Sequence, residues 1–397
     1  MLIRNLHAEY GAPLDPRDAD MLSVAGADAV GRFLARHPEH GPTPLVPLPG
    51  LARELGVADI LVKDEGQRLG LGSFKALGGA YAVARLALEE AGRALGRDVP
   101  LEDLDRPEVR AVVAGLTFGC ATDGNHGRSV AWGARLVGAA SAIFVHGGVS
   151  DERVSAIARY GARTVRVPGT YDDSVAEAAR VCAEKGWIVV SDTSWEGYER
   201  VPGLVMQGYT AIVREALRQM PEPPTHVFIQ AGVGGVAASL AGHFALLLGE
   251  GRPALTVVEP ARAACIFETA RAGHPVGVSR REPTVMAMLE CYEPSPLAWR
   301  VLSRAADAFM TVEDEDAVRA MRRLARPVAG DPAIVAGESG CAGLAGLMRA
   351  AAEPSWRKEI GLGPGSRVFL VNTEGATDPA LYRRLTGLHA AEVARAG

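Results

Sequence analysis

Lys75 lies in "GLGSFKALGGAY", a run of small and apolar residues from Gly70 to Tyr81 with no acid beside it. It follows the strand-like "ILVKDE" and opens a helical pattern. An amine packed there loses hydration, which disfavours the ammonium. The neutral form is a nucleophile able to form a Schiff base with an aldehyde. The same residue also reads as a snorkelling lysine, with its stem covered and its tip in water. This stretch alone leaves both readings standing.

Four further stretches carry candidate chemistry, each just past a β-rich run. In "QAGVGGVAASL", Gly232, Val233, Gly234 and Gly235 let the backbone curl so that its N–H groups converge at a helix start, which builds a phosphate seat. A tight packing turn uses the same glycines. A dinucleotide fingerprint would need a third glycine where Ala237 stands, and no Lys-Ser/Thr pair follows, so a nucleotide P-loop is excluded. In "ATDGNHGRSVAWGARLVG", Asn125 can bond a ring oxygen and Asp123 can transfer a proton. Those residues also suit an Asx-type turn that caps a helix. His126 has no nameable partner and reads as structural. In "VVSDTSWEGYERVPGLVMQGY", Asp192 falls at a strand end, where open parallel sheets bind ligands. Asp192, Thr193 and Ser194 are equally competent helix caps. In "VNTEGATD", the Thr373 hydroxyl can face a neutral ring nitrogen or satisfy its own loop.

The elements that must position these loops are legible as rhythm. "SAIFVH", "TVRVPG", "WIVVSD", "THVFIQAG", "ALTVVEP", "AFMTVED" and "SRVFLVNTEG" read as strands, each next to a helical stretch. "SDERVSAIARYG" reads as a helix capped by Ser150, and "YDDSVAEAARVCAEKG" as one ending on Gly186. Strands alternating with helices predict α/β architecture with parallel sheets. "GRDVPLEDLDRPEVR", with its charges and two prolines, reads as a surface excursion between elements.

With 397 residues, 48% hydrophobic and 22% charged, the chain has an ordinary globular composition. A net charge of −5 without a basic stripe argues against a nucleic-acid partner. The opening "MLIRNLHAEYGAP" has no signal core, and "FALLLG" is far short of a membrane span. Five cysteines without a CxxC predict a reducing, cytoplasmic setting and no zinc site. A disulfide between Cys265 and Cys291 is a remaining option.

Taken in chain order, the set resembles the β-family (fold type II) enzymes that use pyridoxal 5'-phosphate. Within them it is similar to the diaminopropionate ammonia-lyases. "FKALGGAYA", "ATDGNHGR", "YDDSV", "DTSWEGY", "MQGY", "QAGVGG", "VEP", "GESG" and "TEGATD" carry the likeness. An acid before Gly-Asn-His, Asp123, and a second acid, Asp192, set this pattern apart from serine and threonine dehydratases.

The resemblance implies two parallel-sheet α/β domains with the cofactor in the cleft between them. Residues 1–77 and 196–397 would form the large cofactor-binding domain, and 78–195 a small inserted one. It implies that Lys75, beside Phe74, holds the cofactor. The N–H groups of Gly232, Val233, Gly234 and Gly235 would seat its phosphate, Asn125 its phenolic oxygen and Thr373 its ring nitrogen. It further implies α,β-elimination of ammonia from D- and L-2,3-diaminopropionate, followed by hydrolysis to pyruvate and a second ammonia. Lys75 and Asp123 would be the bases, Asp192 would pair with the β-ammonium or support Asp123, and Thr122 would help hold the carboxylate. A small amino-acid substrate, a homodimer and a cytoplasmic location are the matching expectations. The competing readings are a serine or threonine dehydratase and a β-replacement synthase of the same family. Further off lie a nucleotide-binding oxidoreductase and a non-catalytic ligand-binding protein.

Overall fold

The computed structural model describes every residue except Glu39, Asp123, Arg281 and Gly397. Its strands are β1 (Leu2–Arg4), β2 (Leu45–Pro47), β3 (Asp59–Asp64), β4 (Thr117–Ala121), β5 (Ala140–His146), β6 (Arg163–Val167), β7 (Ile188–Val189), β8 (His226–Gln230), β9 (Ala254–Pro260), β10 (Ala308–Val312) and β11 (Arg367–Asn372). The chain folds as two compact units.

One unit is Met1–Gly26, Gly41–Phe74 and Thr210–Gly397. It holds a seven-stranded sheet in the order β1-β10-β9-β8-β11-β3-β2. From β10 to β3 all neighbours are parallel. Every residue of β8 is buried, as expected of a strand covered on both faces. The edge strands β1 and β2 run antiparallel, a departure from the purely parallel expectation. Each is three residues long, and β2 ends on Pro47, features common at sheet edges. Leu370 pairs with Phe228 and Asn372 with Asp64, so β8, β11 and β3 end together. Ligands in open α/β sheets bind beyond such carboxyl ends.

The other unit is Ala27–His40 and Lys75–Tyr209. Its four strands are all parallel, in the order β6-β5-β4-β7. The helix Lys75–Leu95 packs on the helix Asn125–Val137 so closely that a Cβ on Gly133 would lie 2.7 Å from Ala80 Cα. Phe33 meets Tyr81 edge-on at 5.8 Å between ring centroids, and His37 meets Trp132 at 5.0 Å. These ring contacts tie Ala27–His40 to this unit, which no local sequence pattern signals.

Two expectations are corrected. The segment 96–110 is largely exposed, as a surface excursion should be, but it is not without structure of its own. It carries a 3-10 turn, Leu101–Asp105, and the start of the helix Pro107–Val113. Pro107 begins that helix rather than breaking a structure, because its missing N–H is an orphan in the first turn anyway. Its charges pair among themselves, Arg97 and Arg106 both on Asp103 and Arg110 on Asp105. The strand expected over "WIVVSD" shrinks to Ile188–Val189. Tyr198 ends it, its hydroxyl donating to Val189 O at 2.8 Å and accepting from Ser191 N at 3.1 Å.

Two buried polar groups deserve energies. Lys63, Glu65 and Arg68 have no exposed surface. Arg68 forks onto Glu65 and Glu215 at 2.7–2.8 Å, and Lys63 Nζ lies 2.9 Å from Glu215. Two cations thus face two carboxylates, with Thr43 Oγ1 donating to Glu65. Burial opposes the charge on Glu215, but Arg68 and Lys63 outweigh it and hold its carboxyl below the usual range. Glu259, at the end of β9, accepts from Ile266 N at 2.9 Å and Phe267 N at 2.6 Å at the start of the helix Cys265–Ala272. Complete burial pushes its carboxyl up to about 8 despite those donors, which favour the anion.

Removing one partner of a balanced buried cluster strands an unpaired charge. Glu215→Ala is therefore expected to cost roughly 3–5 kcal/mol in denaturant unfolding. For Glu259, the folded value of about 8 lies above the ordinary 4.5, so between them the folded state holds a proton the unfolded chain has released. Its contribution is full below the ordinary value and is lost as pH rises through about 8. Denaturation midpoints should fall over that range, and Glu259→Gln should flatten the fall at a constant cost from the lost cap.

Candidate active site

In the smaller unit, β4 and β7 are parallel neighbours, with Phe118 opposite Ile188 and Gly119 opposite Val189. The loops that follow them leave the same sheet edge. After β4, Thr122 takes part in capping the helix start. Its Oγ1 accepts from Gly124 N at 3.0 Å and Gly127 N at 3.1 Å, and its hydroxyl hydrogen is still available to donate. A Cβ on Gly127 would run into Ile143 at 2.8 Å, so glycine is needed for this close turn. Asn125 is buried at the first position of the helix that follows. Asp123 lies outside the described residues.

After β7, Asp192 lies three residues past Val189 rather than on the strand. Tyr198 fixes the backbone on either side of this bend and stacks on Trp195 with centroids 4.0 Å apart. The Asp192 carboxylate takes a hydrogen bond and ion pair from Lys75 Nζ, at the first residue of the helix Lys75–Leu95. The acid-free setting of Lys75 in the sequence is thus not its setting in space. Burial works against the Asp192 charge, but the Lys75 ammonium outweighs it and holds the carboxyl well below the usual range.

His126 has a partner after all. Its Nε2 meets Val190 O at 2.8 Å, which requires a proton on that nitrogen. Nδ1 then carries the lone pair, buried 4.0 Å from Asp192 with no hydrogen-bond partner among the described residues. Burial, the largest influence, keeps this imidazole neutral below its ordinary value, against the pull of Asp192. Tyr209, buried in the helix Arg200–Gln219, packs its ring against Gly78 of the lysine helix, and its phenol feels the charge of Lys75. Only its place in "MQGY" hinted at it, and that motif carries no chemistry on its face.

In the larger unit, β8 runs into the glycine loop and then the helix Gly235–Leu248. Gly234 has φ +102°, a left-handed conformation that glycine alone adopts without strain. The loop's carbonyls are used: Gly232 O by Cys265 Sγ at 3.6 Å, Val233 O by Ser295 N at 3.0 Å and Gly234 O by Ala238 N at 2.9 Å. Among the described residues no acceptor meets the N–H groups of Gly232, Val233, Gly234 and Gly235. Four unspent donors at a helix N-terminus suit a phosphate.

Thr373 follows β11, the strand beside β8, and is buried. Gln230, the last residue of β8, donates to Thr373 Oγ1 at 2.8 Å and to Gly340 O at 2.8 Å, while its oxygen accepts from Gly343 N at 3.2 Å. With Gln230 donating to it, the threonine hydroxyl has its own hydrogen left for an acceptor such as a neutral ring nitrogen. Phe74 N donates to Thr373 O at 3.0 Å, which ties the end of the lysine loop to this turn. Gln230 is the positioning residue that motif reading missed, since a buried glutamine at a strand end has no local signature.

Each unit thus carries groups that fit a phosphorylated pyridine aldehyde: donors for the phosphate and a hydroxyl for the ring in one, an amine in the other. None of the five cysteines is in a disulfide, so the option of a Cys265–Cys291 bridge is not taken. Among the described residues no cluster of His, Cys, Asp and Glu could hold a metal, and no helix is long and apolar enough to cross a membrane.

Comparison with known proteins agrees with this chemistry. The family described as "Pyridoxal-phosphate dependent enzyme" matches residues 37–374. The diaminopropionate ammonia-lyase of Escherichia coli K12 is 38% identical over 379 residues, covering 93% of this chain and 94% of the relative. That of Salmonella typhimurium is 36% identical over 374 residues, covering 91% and 92%. A crystal structure of the Escherichia coli lyase in complex with an aminoacrylate-PLP azomethine reaction intermediate superposes with a TM-score of 0.87 at 36% identity, covering 97% of this chain and 96% of the other. The chain therefore belongs to the family of pyridoxal-phosphate dependent enzymes, and its similarity within that family runs to the diaminopropionate ammonia-lyases.

Proposed function

We propose that this chain is a carbon–nitrogen lyase that converts D- and L-2,3-diaminopropionate to pyruvate and two ammonia. The observation that carries the reading is the Lys75–Asp192 pair, an amine and a carboxylate brought together in a chain 38% identical to such lyases. Lys75 would hold the cofactor's aldehyde carbon, next to Phe74. Gly232, Val233, Gly234 and Gly235 would hold its phosphate, Asn125 its phenolic oxygen and Thr373 its ring nitrogen. When bound, pyridoxal phosphate supplies an electron sink for the substrate α-carbon.

The chain's own residues supply the rest. Lys75, once its amine is released, takes the α-proton from one face, which suits the L-isomer. Asp123 takes it from the other face for the D-isomer, a role carried by its position before Gly124, Asn125 and His126. The β-nitrogen of the substrate arrives protonated and leaves as neutral ammonia, so this step needs no added acid. Asp192 stays ionised through the neutral range and becomes the counter-ion of that β-ammonium when Lys75 turns away. Thr122 donates its remaining hydroxyl hydrogen to the substrate carboxylate. The released enamine hydrolyses to pyruvate and the second ammonia. A hydroxyl facing the ring nitrogen leaves the ring a modest sink, which suffices when the β-group departs promptly. In keeping with this reading the enzyme would be a cytoplasmic homodimer.

Pyruvate release is expected to be faster on diaminopropionate than on serine. A preference for serine would instead identify a dehydratase, the reading to which the low similarity of a probable D-serine dehydratase, 27% identical over 310 residues, points. Asp123→Asn should lower turnover of the D-isomer by about a hundredfold or more while the L-isomer loses less than about tenfold. Equal losses on the two isomers would count against separate bases.

A further inference from the structure

His126 and Asp192 meet as two acceptors with no hydrogen between them. Nε2 of the imidazole donates to Val190 O at 2.8 Å, which leaves the lone pair on Nδ1, 4.0 Å from Asp192 Oδ2. That gap is too long for a hydrogen bond. Nδ1 has no partner among the described residues, although the side chain is only 7% exposed. A buried acceptor without a donor costs free energy, so its place beside a carboxylate calls for a reason. The Lys75 ammonium accounts for it while it is there. It gives Asp192 a cation, and its charge together with burial keeps the nearby imidazole neutral.

The lyase reading has Lys75 turn away. Asp192 is then a largely buried anion without a cation, and such a site draws a proton. Among the described residues the other titratable groups near it are His126, Cys120, Tyr198 and Tyr209. Burial pushes the thiol and both phenols above their ordinary values, so they keep their protons and offer no basic site. The choice lies between the carboxylate, with an ordinary value of 3.8, and the imidazole, with 6.5. The imidazole is the stronger base. As a cation it can donate to the carboxylate from Nδ1 while Nε2 keeps Val190. We infer that His126 is a positioning residue, the reserve counter-ion of Asp192. When the Lys75 ammonium departs, Nδ1 takes one proton from solvent, closes on the carboxylate and keeps it ionised. The proton returns to solvent when the substrate's β-ammonium takes its place. This order of events rests on the lyase reading, whereas the paired titration rests on these three side chains alone.

The test is histidine NMR of full-length, isotope-labelled protein without cofactor, followed across a pH series. The His126 signal is assigned by its loss in His126→Gln. In wild type it should report the neutral Nε2–H tautomer from about pH 6 to 8. Lys75→Met removes the ammonium, and the His126 midpoint should then rise by about one to three units. Adding Asp192→Asn should cancel that rise. Lys75→Gln supplies the same comparison if the methionine disturbs folding. A midpoint that stays in place in a folded Lys75 variant would overturn the inference, since Asp192 then holds the proton itself. A rise that survives Asp192→Asn would overturn it too. A kinetic arm uses the holoenzyme and L-diaminopropionate. His126→Gln cannot become a cation, so KM should rise about tenfold at the acid end of the profile and change little at the alkaline end. An equal loss at every pH would report packing and count against the counter-ion role. Holoenzyme that ignores diaminopropionate would sink the substrate reading alone, and the histidine titration would still decide the pairing.

Discussion

The contact on which the smaller unit turns is that between the Lys75 amine and the Asp192 carboxylate, 117 residues apart in the chain. Neither is fully exposed, so each charge depends on the other for the stabilisation that water no longer provides in full. Holding them together requires several things at once. The β4–β7 pairing must bring two loops to one edge, Tyr198 must turn the chain after Val189, and the Lys75–Leu95 helix must approach its neighbours over bare glycine backbone. The small residues around Lys75, which in the sequence look like a desolvating pocket, are in the structure a means of close helix packing.

The larger unit solves a different problem, that of leaving donors unspent. Its glycine loop gives up its carbonyls to Cys265, Ser295 and Ala238, and its N–H groups remain for a ligand. Gln230 does the same for Thr373, occupying the oxygen so that the hydrogen has one direction to go. In the same unit, the paired buried charges of Lys63, Glu65, Arg68 and Glu215 anchor the chain that leads into the lysine loop. Fully paired buried charges add little net stability over an apolar core. We relate their presence here to conformational specificity, since Arg68 sits at a kink where the following residue, Leu69, has φ +50°.

Much of this was legible beforehand for physical reasons. Strands such as β8 and β11 are apolar through their middle residues because both faces are covered, and helix ends such as Ser150 and Gly186 announce themselves by local backbone chemistry. Loops placed after such strands gather at carboxyl edges whatever the strand order, which is why Gly232–Gly235, Asp192 and Thr373 could be singled out. Errors arose where local composition has two solutions. Pro107 starts a helix as readily as it breaks a structure, and a threonine hydroxyl, that of Thr122, serves the turn after β4 as well as an Asx side chain would.

The sequence by itself determined the element types, the alternation that makes the fold α/β, and the residue types available at each loop, because these depend on neighbours a few positions away. It could not determine partners. That Lys75 meets Asp192, that the Tyr209 ring lies against Gly78, that His126 lies near Asp192, and that Gln230 directs Thr373 all depend on contacts between segments far apart in the chain. Those contacts follow from which strands lie side by side, and strand order is set by long-range packing that no local periodicity encodes.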